Sequence, residues 1–256
     1  MQDLMNLSGR VAVVVGGAQG IGLACARALG GLSAKIVVLD RNAEQGNLAA
    51  AELAETGFDA SFAQIDVVSS SQVAAAMAAV VAEHGGLDAV VNAAGVACHG
   101  DSLELADEEW DRVISVNLTG AFWVAREAGR QMIAGGQPGS IVTIGSISGE
   151  VANVPHRQTA YNASKAGVHN MTRCLAVEWA DRAIRVNAIA PGYVETELTR
   201  GGLENPEWAA RWKDLTPMAR VGQPMEIGAL AAFLSSDAAS YMTGSIVVAD
   251  GGYLSM

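Results

Sequence analysis

Val11-Ala12-Val13-Val14-Val15-Gly16-Gly17-Ala18-Gln19-Gly20-Ile21-Gly22 passes from an unbroken apolar run into a cluster of glycines, and a helical pattern begins at Ile21. A strand, a glycine turn and a helix in that order make a cradle for a dinucleotide pyrophosphate. The glycines let the backbone come close, and the helix start offers free N–H groups and a positive dipole end. Glycines alone mark many tight turns, so the flanking strand and helix carry the reading. The next apolar run, Lys35–Asp40, ends in an acid 18 residues past Gly22. A carboxylate there can accept from the adenosine ribose hydroxyls and repels a 2′-phosphate, which favours NAD over NADP. Arg41 follows at once and could hold that phosphate; Asp40 is weighted above it. Asp40 could also serve as a helix cap.

Outward from this stretch, short β-branched runs alternate with Ala-rich helical segments. Strands are expected at Val11–Val15, Lys35–Asp40, Ala60–Ile65, Asp88–Asn92, Ser140–Gly145, Ile184–Ala190 and Ser245–Ala249. Helices are expected at Ile21–Leu32, Ala43–Glu55, Ser70–Glu83, Asn117–Ala134, Tyr161–Ala180 and Pro224–Leu234. Most strands read as continuous apolar runs, the pattern of a parallel sheet covered on both faces. The expected fold is α/β: one doubly wound Rossmann-type domain over 1–256, with a seven-stranded parallel sheet. From about 193 to 223 no strand pattern occurs, and a short helix near Pro206–Lys213 sits between Gly201-Gly202 and Pro217. Connections of that length are often lids or binding loops, so this segment is read as a substrate lid.

The chain has 256 residues, half of them hydrophobic and 17% charged, which excludes a disordered chain. Its net charge of −11 argues against a nucleic-acid partner or an anionic membrane surface. No apolar run reaches the roughly 18–20 residues of a membrane span. The start, Met1 to Arg10, lacks a basic segment followed by an apolar core, so it does not read as a secretory signal. Cys25, Cys98 and Cys174 form no CxxC pair, which speaks against zinc or a disulfide framework and for reduced thiols in a cytoplasmic protein. No metal-ligand cluster is visible.

Tyr161-Asn162-Ala163-Ser164-Lys165 puts a phenol and an ammonium at i and i+4 on one helix face. A free tyrosine titrates near 10. A neighbouring cation lowers that value and brings the phenol toward general acid–base work. Ser146 stands at a strand end, where its hydroxyl can hold a substrate oxygen. Such a Tyr–Lys pair is often only a surface contact; its place after Ser146 and the glycine loop points to catalysis.

Taken together, these motifs resemble the short-chain dehydrogenase/reductase family over nearly the whole chain. The family's Tyr-x-x-x-Lys is seen in Tyr161 and Lys165, and its serine in Ser146, 15 residues earlier. Its Thr-Gly-x-x-x-Gly-x-Gly loop corresponds to Val15–Gly22, with Gly16, Gln19, Gly20, Ile21 and Gly22 at the cofactor. Its Asn-Asn-Ala-Gly is Asn92-Ala93-Ala94-Gly95, its helical asparagine Asn117, and its adenine-side pair Asp66-Val67. Its Pro-Gly is Pro191-Gly192, followed by Val194 and Thr196. Val15 and Ala93 depart from the pattern and remove hydrogen bonds that brace the loop after the fourth strand. The Ser146-to-Tyr161 segment is about two residues longer than is common in the family. The resemblance implies that Tyr161 exchanges a proton with the substrate oxygen and that Lys165 lowers its pKa and bonds the nicotinamide ribose. It also implies that Ser146 orients the substrate and that Asn117 holds a water linking Lys165 to solvent. Val194 and Thr196 would fix the carboxamide.

Ser148, Asn153, His156 and Arg157 put polar groups beside the expected pocket, which suits a polyol or hydroxy-ketone. Against this, Leu198, Trp208, Trp212 and Met218 could wall an apolar pocket. Ser146, Ser148, Asn153 and Tyr161 are taken as the substrate contacts. The pattern is most similar to polyol dehydrogenases within the family, and the family implies a homotetramer. The expected activity is NAD(H)-dependent hydride transfer with a secondary alcohol or ketone. The rivals are an NADP-dependent ketoreductase of the 3-oxoacyl-carrier-protein type and a dinucleotide-binding regulator without turnover.

Overall fold

Seven parallel strands form one sheet in the order β3-β2-β1-β4-β5-β6-β7. The computed structural model describes residues 2–256, with side chains from Leu4 onward; Met1, part of the start read for a leader, lies outside the described residues. The strands are β1 Val11–Val15, β2 Lys35–Asp40, β3 Ala60–Gln64, β4 Ala89–Asn92, β5 Gly139–Ile144, β6 Ile184–Pro191 and β7 Ile246–Ala249. β1, β4 and β5 are buried throughout. The edge strand β3 is only partly covered. Successive side chains of a strand face opposite sides. Ala12 and Val14 therefore enter one core, with Cys25, Leu29, Ile227 and Ala231, while Val11, Val13 and Val15 enter the other, with Val73, Met77, Val124 and Leu175. That split is why β1 shows no polar alternation. Each valine so buried contributes roughly 1.5–3 kcal/mol.

The helices are α1 Gln2–Met5, α2 Gly20–Gly30, α3 Ala43–Glu55, α4 Ser70–His84, α5 Asp107–Ile114, α6 Ala121–Gly135, α7 Thr159–Trp179, α8 Arg200–Glu204, α9 Pro206–Asp214 and α10 Pro224–Ser235. The expected seven-stranded doubly wound Rossmann fold is borne out. Two expectations need correction. The helix read from Asn117 begins at Asp107 instead, and α5 joins α6 through a π-helical turn, Ser115–Gly120. Its start was hard to see because Ala106 offers no side-chain cap. Its first turn carries Asp107, Glu108 and Glu109, which favour the positive end of the helix dipole. In the second case, the 193–223 connection holds two helices, not one. Gly201 and Gly202 read as breakers, yet they lie inside α8, where Gly202 packs beneath the Trp212 ring. Asn205 caps α9 by accepting from the N–H groups of Glu207 (3.0 Å) and Trp208 (3.2 Å). A bridge between Val194 and Gly222 ties the ends of this connection together. Among the described residues no helix is long and apolar enough to cross a membrane.

Candidate active site

At the C-terminal ends of β1, β2 and β4 a cavity of about 210 Å³ opens. The strand order turns back on either side of β1, and parallel α/β sheets bind ligands at such crevices. Gly16, Gln19, Gly20, Ile21, Gly22, Asp40, Arg41, Asp66, Val67, Ala93, Gly95 and Thr196 all line it. The glycines are sterically required. A Cβ on Gly22 would sit 2.0 Å from the Gly16 carbonyl, and Gly16, at φ +71°, runs against the Ala94 backbone. Gln19 caps α2 without a side-chain hydrogen bond, so the first N–H groups of the helix face the cavity uncapped. A close backbone turn with free N–H donors fits the pyrophosphate of a dinucleotide. Asp40 stands beside this loop at the end of β2; its Oδ2 accepts from Ala18 N (3.2 Å) and its Oδ1 from Asn42 N (3.0 Å). Its carboxylate thus ties β2 to the glycine loop.

Not every expected cofactor residue reaches this cavity. Asn92 is buried and uses its Oδ1 to accept from Ala94 N (3.2 Å). Pro191 ends β6, and Gly192 lines the neighbouring cavity. Val194 is buried, and its carbonyl accepts from the Thr199 hydroxyl (2.5 Å).

A second cavity, about 80 Å³, adjoins the first and is lined by Ser146, Ser148, Asn153 and Tyr161. Ser146 follows β5 in extended conformation, and Tyr161 stands in the first turn of α7. The buried Lys165 Nζ, one helical turn further on, donates to the Ile144 carbonyl (2.8 Å) and lies 5.6 Å from the centre of the Tyr161 ring. Asn117 stands in the π-helical turn. Its Oδ1 accepts from Val96 N (2.8 Å), and its Nδ2 donates to Val96 O (2.9 Å) and Ser164 Oγ (3.0 Å). Both amide protons are thus engaged with protein, which leaves only acceptor oxygens of Asn117 to hold the expected water. The same bonds brace the loop that Val15 and Ala93 leave without the family's usual hydrogen bonds.

The electrostatics also differ from the sequence reading. Burial pushes the Tyr161 phenol above its usual value, while hydrogen bonding with Ser146 pulls the other way. Burial brings Lys165 down to about 8. The expected lowering of the tyrosine by the lysine is not found. Burial penalises the charged form of each group, which raises the phenol and lowers the ammonium.

Around the second cavity runs a chain of hydrogen bonds. Ser146 Oγ donates to Ser148 Oγ (3.0 Å), Gln158 Nε2 donates to Ser148 Oγ (3.1 Å) and to Asn153 Oδ1 (2.9 Å), and Asn153 Nδ2 donates to the Tyr193 hydroxyl (3.2 Å). Its far wall is aromatic. Tyr193 stacks on Trp212 with centroids 4.1 Å apart, and His156 meets Trp208 at 5.0 Å and His99 at 5.1 Å. The buried Nδ1 of His156 has no partner, and burial among these rings brings the imidazole down to about 4. Leu198 lines both cavities, while Met218 lies in a third. Arg157 does not join the site: it is exposed and pairs with Asp101. Gln158, Tyr193 and His99 were missed in the sequence. Gln158, three residues before Tyr161, was the legible one, since a helix N-cap must stand beside the first turn.

A sequence model of the family described as enoyl-(acyl carrier protein) reductase matches residues 16–254. The chain is 45% identical over 252 residues to a galactitol 2-dehydrogenase (L-tagatose-forming) from Cereibacter sphaeroides, covering 98% of each chain. The solved structure of gox2181 superposes with a TM-score of 0.98 at 43% identity, covering all of both chains. A gluconate 5-dehydrogenase from Burkholderia cenocepacia, solved in complex with NADP and tartrate, superposes with a TM-score of 0.95 at 36% identity over 100% of this chain and 99% of that one. With its parallel sheet, its glycine loop and its near-complete overlap with these proteins, the chain belongs to the short-chain dehydrogenase/reductase family.

Proposed function

We propose that this protein is an NAD(H)-dependent oxidoreductase that interconverts a secondary alcohol and its ketone, with a polyol, sugar alcohol or related small hydroxy compound as substrate. One observation carries the reading: Ser146, Tyr161 and the Ser148–Gln158–Asn153–Tyr193 chain share one cavity beside the glycine-lined one. The nicotinamide, when bound, supplies the hydride chemistry. Gly16 to Gly22 and the start of α2 would hold the pyrophosphate, Asp40 the adenosine ribose, Asp66-Val67 the adenine, and Thr196 the carboxamide. Tyr161 passes a proton to or from the substrate oxygen, and Ser146 holds that same oxygen. Lys165 presents its ammonium beside the tyrosine and holds the nicotinamide ribose. Asn117 keeps the loop at Val96 in place.

The polar chain favours a substrate with more than one hydroxyl, because Ser148, which accepts from both Ser146 and Gln158, keeps its own proton to donate to a further hydroxyl. The aromatic wall suits the C–H faces of such a molecule. The relative's name, galactitol 2-dehydrogenase, points to the same class. Asp40, which repels a 2′-phosphate, supports NAD over the NADP bound by the gluconate 5-dehydrogenase. The 193–223 connection serves as the substrate lid in this reading. The three free cysteines fit a reducing cytoplasm. Val177, 81% exposed on α7, and Trp123, capped by the Arg126 guanidinium at 4.4 Å on α6, fit a homotetramer built on these helices.

Tyr161→Phe separates an enzyme from a dinucleotide-binding regulator. The variant should bind NADH as the parent does and lose about 10²–10⁴-fold in turnover. Turnover at the parental rate would refute the assignment.

A further inference from the structure

His169 lies on α7 one turn beyond Lys165, so Tyr161, Lys165 and His169 follow one another at i, i+4 and i+8 on one face. The residue is 1% exposed. Nδ1 is 2.8 Å from Glu150 Oε1, and Nε2 is 3.5 Å from the backbone nitrogen of Ser146. A backbone N–H can only donate, so Nε2 is the acceptor and the ring proton sits on Nδ1, where it donates to the carboxylate. The slot for the ring is made by glycines. A Cβ on Gly145 would lie 2.4 Å from Nε2, and one on Gly149 would lie 2.7 Å from Nδ1.

We propose that Glu150 and His169 form a positioning pair that fixes the backbone at Ser146, and through it the hydroxyl that holds the substrate oxygen. Ser146 is otherwise held within its own turn, where its carbonyl accepts from Gly149 N (3.0 Å) and its Oγ accepts from Ser148 N (3.1 Å) and donates to Ser148 Oγ (3.0 Å); the contact with His169 ties that turn to α7. The hydroxyl must be free to turn toward a substrate, so the fixed point has to be the backbone. Glu150 is partly exposed and His169 is buried, so the pair anchors the short turn Ile147–Gly149 from the solvent edge inward. Burial lowers the imidazole's affinity for a proton and Glu150 raises it. Lys165 and Arg173 also face it, and both oppose a second proton. His169 is a positioning residue, since it touches no reacting atom.

This inference rests on the alcohol–ketone reading above, and its test has an arm that does not. Nitrogen-15 NMR of the parent should show the Nδ1–H tautomer of His169, with Nε2 unprotonated. A proton on Nε2 overturns the proposal whatever the activity. His169→Leu should lower kcat about 10- to 100-fold, as a displaced hydroxyl would, and leave the NADH Kd unchanged. His169→Gln, whose amide can accept from Ser146 and donate to Glu150, should recover most of that loss. Parental kcat in His169→Leu, or no recovery in His169→Gln, overturns the proposal. If His169→Leu does not fold, Glu150→Ala takes its place: a fall in kcat with unchanged NADH binding supports the pair, and a parental kcat refutes it. A parent inert toward every alcohol and ketone refutes the alcohol–ketone reading instead, and the tautomer then judges the pair.

Discussion

Tyr161 keeps its proton more firmly than a free tyrosine, because burial penalises the phenolate. It is therefore ready to donate to a ketone near neutral pH and must be deprotonated before it can take a proton from an alcohol. Alcohol oxidation should rise continuously with pH above neutrality, while ketone reduction should be fastest near neutral; a flat oxidation profile from pH 7 to 10 would contradict this. Lys165 gives a stability prediction. Its folded value, about 8, lies below the ordinary 10.5. The unfolded chain thus binds the extra proton between those values, and stability rises with pH across about 8 to 10.5, with the full cost present below 8. Lys165→Met should abolish turnover yet stabilise the fold at pH 7 by about 1–3 kcal/mol, less whatever the Ile144 carbonyl loses. The gain should shrink by pH 10. Calorimetry at the two pH values checks it, and a destabilised variant at pH 7 would refute it.

At the scale of elements, the π-helical turn does the most specific work. It sets Asn117 opposite Val96 and Ser164, where three hydrogen bonds join the α5–α6 helix, the β4 loop and α7. Asn117→Ala leaves the buried Val96 groups short of partners and should cost about 1–3 kcal/mol of stability. It should also weaken NADH binding, since the loop lines that cavity; scanning calorimetry reads the first effect and titration calorimetry the second. The 193–223 connection, proposed as a lid, offers a contrasting case. Trp208→Ala opens the aromatic wall without touching Tyr161 or Ser146, so KM for a polyol should rise about tenfold or more while NADH binding holds. An unchanged KM would remove α9 from the substrate site. These elements were unequally legible. β1, β2 and α3 could be bounded from the sequence because each is a clean apolar run or a capped helix, Asn42 accepting from Gln45 N (3.1 Å) in the last case. The π-helical turn could not, because the weak helix formers of Ser115–Gly120 blur the helix there and none of them marks an i→i+5 turn. Tyr161 and Lys165 were readable from their i, i+4 spacing. His169 continues that spacing, but its partners Glu150 and Ser146 come from a separate segment that only the fold brings near.

Across the whole molecule, the parallel sheet places both cavities at one end of its strands, with β1 and β4 between two cores. A dinucleotide bound in the glycine-lined cavity, as proposed, would contact strands, loops and the 193–223 connection together, so its binding free energy should appear as global stability. NADH at 100 times its Kd should add about 2.7 kcal/mol. NADPH at the same concentration should add much less if Asp40 holds the adenosine ribose as proposed. An equal rise in melting temperature with both would mean that Arg41, not Asp40, governs that end of the cavity. The direct measurement of the central claim is NADH and NADPH formation, side by side, across polyols, simple secondary alcohols and hydroxy acids. The account predicts turnover with NAD and a polyol, and much slower turnover with NADP or with a monohydric alcohol. A clear preference for NADP, or for substrates bearing a single hydroxyl, would contradict it.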